Sequence, residues 1–158
     1  MTAQSYHNRQ ILLHWLVVGL VAFQYLTGSY MGTAFDNGTA LTAAGGGAWI
    51  HGILGTLILL AMLARLVTRR HHGAPPPPET EPGAIQSLSR GVHAAFYVVL
   101  IAMPIAGMFA ILTGNELAAE AHSWSSTALI VLIVAHVAGA AWHLWKRDGV
   151  VSRMMPRG

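Results

Sequence analysis

Nine histidines stand among the 158 residues of this chain, as many as its lysines and arginines together. Imidazole can ligate a metal, carry a proton or hold a hydrogen bond. His7, His71 and His72 lie outside the long apolar stretches and read as solvated interfacial residues. His14, His51, His93, His122, His136 and His143 fall in such stretches or at their edges. His122 and His136 are 14 residues apart. At about 100° per residue this returns to within about 40° of one helix face, after a rise of about 21 Å. His143 follows seven residues later, about 20° further round. Three imidazoles at three depths on one face are what two stacked cofactors would require.

The elements that carry these residues follow from composition. Hydrophobic residues make up 54% of the chain and charged residues 9%, with a mean hydropathy of +0.51. A soluble domain carries about 25% charge, so this chain reads as a membrane protein. A span needs about 20 apolar residues, and four stretches qualify, at about 11–31, 49–67, 92–112 and 124–145. They predict an all-α, up-down bundle of four transmembrane helices, a single domain over 1–158. The first connector, 34–47, is small and Gly-rich, and the second, 69–90, contains the run Pro75 to Pro78, which cannot be helical. The third, 114–122, is short and acidic. The first span is too long for a signal-peptide core, and cleavage after it would remove His14.

Charge predicts the orientation. Arg9, Arg65, Arg69, Arg70, Arg90, Lys146, Arg147, Arg153 and Arg157 all fall on one side, whereas Asp36, Glu116 and Glu120 fall on the other. The positive-inside rule places both termini in the cytoplasm. The basic pI of 9.8 then records topology, and without a basic run the chain makes no nucleic-acid surface. Trp15, Trp142 and Trp145 sit near the inner edge, Trp49 and Trp124 near the outer one. The absence of cysteine excludes disulfides, thiolate metal sites, iron–sulfur clusters and covalently attached haem.

Depth pairs some histidines. His51 lies two residues after Trp49 and His122 two before Trp124, so both are near the outer edge. On the inner half His14 could face His136, His143 or His93. Depth mildly favours His143, because His136 is ten residues from Lys146, but helix tilt can absorb that difference. Zinc would gather three or four ligands in one place, often with carboxylates. Here the histidines come as separated pairs, and the spans contain no acidic residue. Two axial imidazoles fill the open positions of haem iron, and an apolar four-helix interior suits the porphyrin. Arg65, 14 residues from His51 and on its face at inner depth, suits a propionate or a lipid phosphate. Arg69, one turn on, fits lipid better. Gly52, Gly55, Gly107 and Gly139 would admit a flat ring or a close helix.

These features resemble the bacterial cytochrome b561 family, four-helix dihaem b-type cytochromes. The resemblance rests on Arg9-Gln10-Ile11-Leu12-Leu13-His14-Trp15-Leu16, Ile50-His51-Gly52 with Arg65, and His93 with Ala102-Met103-Pro104-Ile105-Ala106-Gly107. His122, His136, His143 and Arg153-Met154-Met155-Pro156 complete it. It implies two haem b groups, the outer held by His51 and His122 and the inner by His14 and His136. His93 and His143, with Arg65, become contacts for propionate or quinone. It further implies an oxidoreductase that takes an electron from superoxide at the periplasmic side and reduces ubiquinone near the cytoplasmic side. The outer side carries no Lys or Arg to draw in an anion, so a periplasmic protein donor is the alternative. A haem-b subunit serving a partner redox enzyme is a rival reading. A haem-free, histidine-lined metal transporter is another, disfavoured by spans without acids.

Overall fold

The computed structural model describes residues 5–42, 45–78 and 81–155. Pro156 and Arg157 of the sequence pattern lie outside the described residues. Four helices make up the fold: α1 (Asn8–Asp36), α2 (Gly47–His72), α3 (Gly83–Thr113) and α4 (Glu116–Lys146). A short 3-10 helix, Val151–Met154, follows. There is no strand among the described residues. All four helices are long and apolar enough to cross a membrane.

Each helix runs beyond its apolar core, and α1 and α4 start at side-chain caps. The imidazole Nδ1 of His7 accepts the Arg9 N–H, and Gln10 Oε1 accepts the His7 N–H, so α1 starts at Asn8. Pro82 precedes α3, which therefore begins nine residues before the apolar stretch. The expected acidic connector 114–122 is helical from Glu116 onward. Gly114, in the left-handed conformation at φ 67°, closes α3, and Asn115 caps α4 by accepting the Ala118 N–H at 2.8 Å. The turn is thus two residues long, and His122 lies well inside α4.

The helices run up and down, with α1 packed along α2, α3 along α4, and α2 against α3. At mid-depth Val17 and Val21 of α1, Ile58 and Met62 of α2, Leu100 and Met103 of α3 and Leu129 of α4 form the buried core. Large side chains such as Leu12, Phe23, Leu26, Val98 and Val131 point outward. On a membrane-spanning bundle these meet lipid, so packing and hydrogen bonds, more than apolar burial, hold the helices together.

One end of the bundle is tied by the chain segments that meet there. The Tyr6 N–H donates to the Arg153 carbonyl, Trp15 Nε1 to that of Met154, Gln10 Nε2 to that of Gly73, and Arg153 Nη1 to that of Pro76. The described N- and C-terminal segments and the described part of the α2–α3 connector therefore share this end, where the described basic residues lie. The opposite, acidic end holds Asp36, Glu116 and Glu120.

Candidate functional site

At the acidic end, His51 of α2 faces His122 of α4 with ring centroids 6.1 Å apart and planes at 72°. An imidazole nitrogen bonds a first-row metal at about 2 Å and lies roughly 1 Å from its ring centroid, so two imidazoles sharing one ion stand about 6 Å apart. The pair fits that spacing. It lines a cavity of about 790 Å³ that also takes in Gly28, Gly55, Met103 and Gly107.

The second nitrogen of each ring is fixed. His122 Nδ1 lies 2.8 Å from the carbonyl oxygen of Met103, one residue before Pro104 interrupts the α3 ladder. His51 Nδ1 lies 3.3 Å from Thr27 Oγ1. The Thr27 hydroxyl can give its own hydrogen to the carbonyls of Phe23 or Gln24, at 3.3 and 3.2 Å, so its oxygen accepts from the ring. The Met103 carbonyl can only accept, which puts the proton of a neutral His122 on Nδ1. With Thr27 accepting, the same holds for His51, so that Nε2 of each ring could hold a metal. Gln24, buried, donates Nε2 to the His51 carbonyl at 3.0 Å. Gly55 makes room for it, since a Cβ there would lie 3.2 Å from that nitrogen. Gly107 does the same for His122, where a Cβ would come within 2.8 Å of Nδ1. Gly52 and Gly139 have no neighbour within 4 Å of such a Cβ.

At the basic end, His14 of α1 and His136 of α4 repeat the spacing, with centroids 6.1 Å apart and planes at 66°. Of the three partners that depth left open for His14, His136 is the one whose ring faces it at this distance. His93 of α3 stands on His136 at 5.4 Å and 88°, and Phe96, one turn on, at 5.5 Å. Arg65 is close enough for its charge to act on His14, His93 and His136. With Arg69 it lines a small cleft beside Tyr6, Gln10, Tyr97 and Met154.

His143, which depth mildly favoured as the partner of His14, is turned to Asp148, with Nδ1 2.7 Å from Oδ2. Arg147 ends α4 in the left-handed conformation at φ 55° and brings the chain back under the helix. Burial of the Asp148 carboxyl opposes its ionisation. Hydrogen bonds from His143 and the Val150 N–H, with the charges of His143 and Lys146, outweigh this and hold its pKa below the ordinary value. Lys146 pairs with the buried Glu81 next to it.

Sequence reasoning missed Thr27, Gln24 and the Met103 carbonyl as supports of the acidic-end pair. The available signal was the presence of Gln24 and Thr27 within an otherwise apolar span.

The sequence model of the family described as prokaryotic cytochrome b561 matches residues 5–157. The chain belongs to the prokaryotic cytochrome b561 family. It is also 32% identical over 153 residues to the protein named cytochrome b562 of Cereibacter sphaeroides, covering 96% of this chain and 95% of that one. Membership makes this a multi-pass membrane protein that binds haem b and transfers electrons. The residues present suit that group. For a b561 cytochrome, which holds its haem without a covalent link, imidazole pairs at iron-spanning distance could supply both axial ligands, and the apolar cavity beside His51 and His122 could enclose the ring there.

Proposed function

We propose that the protein is a dihaem cytochrome b that carries electrons across the bacterial inner membrane, between a periplasmic donor and the ubiquinone pool. The observation that carries this reading is the repetition of one 6.1 Å histidine pair at the two ends of the bundle. His51 and His122 would hold the outer haem, and His14 and His136 the inner one. Both chain ends would face the cytoplasm, since the end they share carries the basic residues. When bound, each haem supplies a one-electron couple. The chain's own work is to orient the rings of His51 and His122, to keep water from mid-depth with the core around Ile58 and Leu129, and to place cations at the inner end. Arg65, His93 and His143 lie in that inner region, where propionate and quinone contacts belong. Reduction of a quinone takes two electrons and two protons, and the His143–Asp148 pair stands at the edge where protons would enter.

With superoxide as donor, two superoxide ions give two dioxygen molecules and two electrons, and one ubiquinone with two protons becomes ubiquinol. A second reading, a haem-b subunit serving a partner redox protein, is favoured by the acidic outer end formed by Asp36, Glu116 and Glu120. Such a surface repels an anion and suits a basic protein. The test is the purified protein with ubiquinone. A reduced-minus-oxidised b-type spectrum with two haems per chain supports the dihaem reading, and a colourless preparation overturns it. Superoxide consumption well above dismutation selects the enzyme. Haem reduction by superoxide no faster than for a generic b-type cytochrome, together with co-purification of a redox partner, selects the subunit.

A further inference from the structure

The two histidine pairs match in spacing but differ in how their rings are supported. In the acidic-end pair each Nδ1 meets an oxygen, from Thr27 or from the Met103 backbone. In the basic-end pair the rings of His14 and His136 have no such oxygen partner among the described residues. What His136 has is a third imidazole. His93 stands 5.4 Å from it with planes at 88°. No hydrogen bond joins the two rings as they stand among the described residues. A nitrogen-to-nitrogen hydrogen bond of about 3 Å, with roughly 1 Å from each nitrogen to its centroid, needs rings about 5 Å apart, so a small turn of either ring would form one.

The direction of such a bond is set by the far side of His93. Its Nδ1 lies 2.7 Å from the Ser89 carbonyl oxygen, so that nitrogen carries the proton and donates it. The remaining Nε2 of the neutral ring has a lone pair and no hydrogen, and can only accept. An imidazole that binds metal through one nitrogen keeps its one N–H on the other, and so can only donate. His136 is the ring shared by the two contacts, with His14 and with His93. The roles are therefore complementary.

We infer that His93 is the positioning residue of His136, taking its Nδ1–H on Nε2 as Thr27 and Met103 do for the other pair. This rests on the dihaem reading and gives His93 a role more specific than contact with propionate or quinone. An acceptor on the ligand's N–H raises the ligand's basicity and favours the ferric state. Removing it raises the midpoint potential of the inner haem.

The test compares His93→Phe, which keeps a ring of similar bulk without an acceptor, with His93→Gln, whose amide oxygen can accept. The inner haem is identified as the one retained in His51→Ala. Expected is that both variants keep two low-spin haems, that only the inner midpoint rises in His93→Phe, and that His93→Gln returns it toward the wild-type value. A tenfold change in the ferric-to-ferrous ratio corresponds to 59 mV. An unchanged inner midpoint in His93→Phe overturns the inference. So does conversion of the inner haem to high spin or its loss, which would make His93 an iron ligand. If His93→Phe does not assemble, His93→Leu against His93→Gln gives the same comparison. A wild-type protein without two haems fails the dihaem reading itself, which distinguishes the two failures.

Discussion

Gly107 of α3 leaves the space that the ring of His122 in α4 fills, and a Cβ at position 107 would stand 2.8 Å from His122 Nδ1. That ring cannot yield easily, because the same nitrogen is held by the Met103 carbonyl. Gly107→Ala should therefore displace His122 and lower the outer haem content by half or more while the inner haem is kept. Gly19→Ala, at an exposed position with nothing within 4 Å, should leave both. Haem-to-protein ratios of the purified variants check this.

The Thr27 hydroxyl should matter through its oxygen. Thr27→Val keeps the shape and removes the acceptor for His51 Nδ1, and loss of such a partner weakens a metal site about 10–100-fold. Transfer of the outer haem to an apoprotein acceptor should be faster by that order, with Thr27→Ser close to wild type. Equal rates for Thr27→Val and wild type would show that His51 is oriented otherwise.

Replacing His51 or His122 by alanine should remove the outer haem and leave the inner spectrum in place. His14→Ala or His136→Ala should do the reverse. Difference spectra and redox titration of the four variants distinguish the two pairings. Loss of the outer haem from His136→Ala would overturn them.

Lys146 and Glu81 should respond unequally. The Glu81 side chain is 4% exposed and that of Lys146 27%, so only the ammonium can turn to water. Lys146→Met strands a buried carboxylate and should destabilise by about 3 kcal/mol. Glu81→Gln should cost less, because its partner can resolvate. Thermal unfolding in detergent orders the two variants.

Asp148 sets an acid limit. Its pKa is lowered from 3.8 in the folded chain, so the folded state favours the ionised form. The stabilisation is fully present above the unfolded value and is lost as pH falls through the lower, folded one. Release of the C-terminal segment from the bundle, followed by limited proteolysis with an acid-active protease, should rise below about pH 4. Asp148→Asn should show that release already at neutral pH, with little further acid dependence.

The helices and the shared face of His122 and His136 were legible in the sequence because each follows from a period. His51 and His122, in contrast, were paired by depth, and His14 and His136 only by the family resemblance. Twenty apolar residues define a span, and the 14-residue step from His122 to His136 defines a face. What periodicity does not carry is which way a ring turns. That depends on groups far away in the chain, on Thr27 for His51 and on a backbone carbonyl for His122. The pull of Asp148 on His143 depends on the left-handed turn at Arg147, a residue whose type does not announce that conformation. The α3–α4 connector was read as too long for a related reason. The sequence Glu116 to His122 is polar enough for a loop, yet the Asn115 cap and the Gly114 closure let α4 start at once.

That two-residue turn bears on how the histidine pairs move. Since α4 supplies one ring to each pair, any slide or rotation of this helix would shift both 6.1 Å gaps together. The Gly114-Asn115 turn ties one end of α4 to α3, and Tyr25 ties its middle to α1 through the Ser126 carbonyl at 2.7 Å. One helix thus couples the geometry of the two ends of the bundle, and it is anchored at its start and at Ser126.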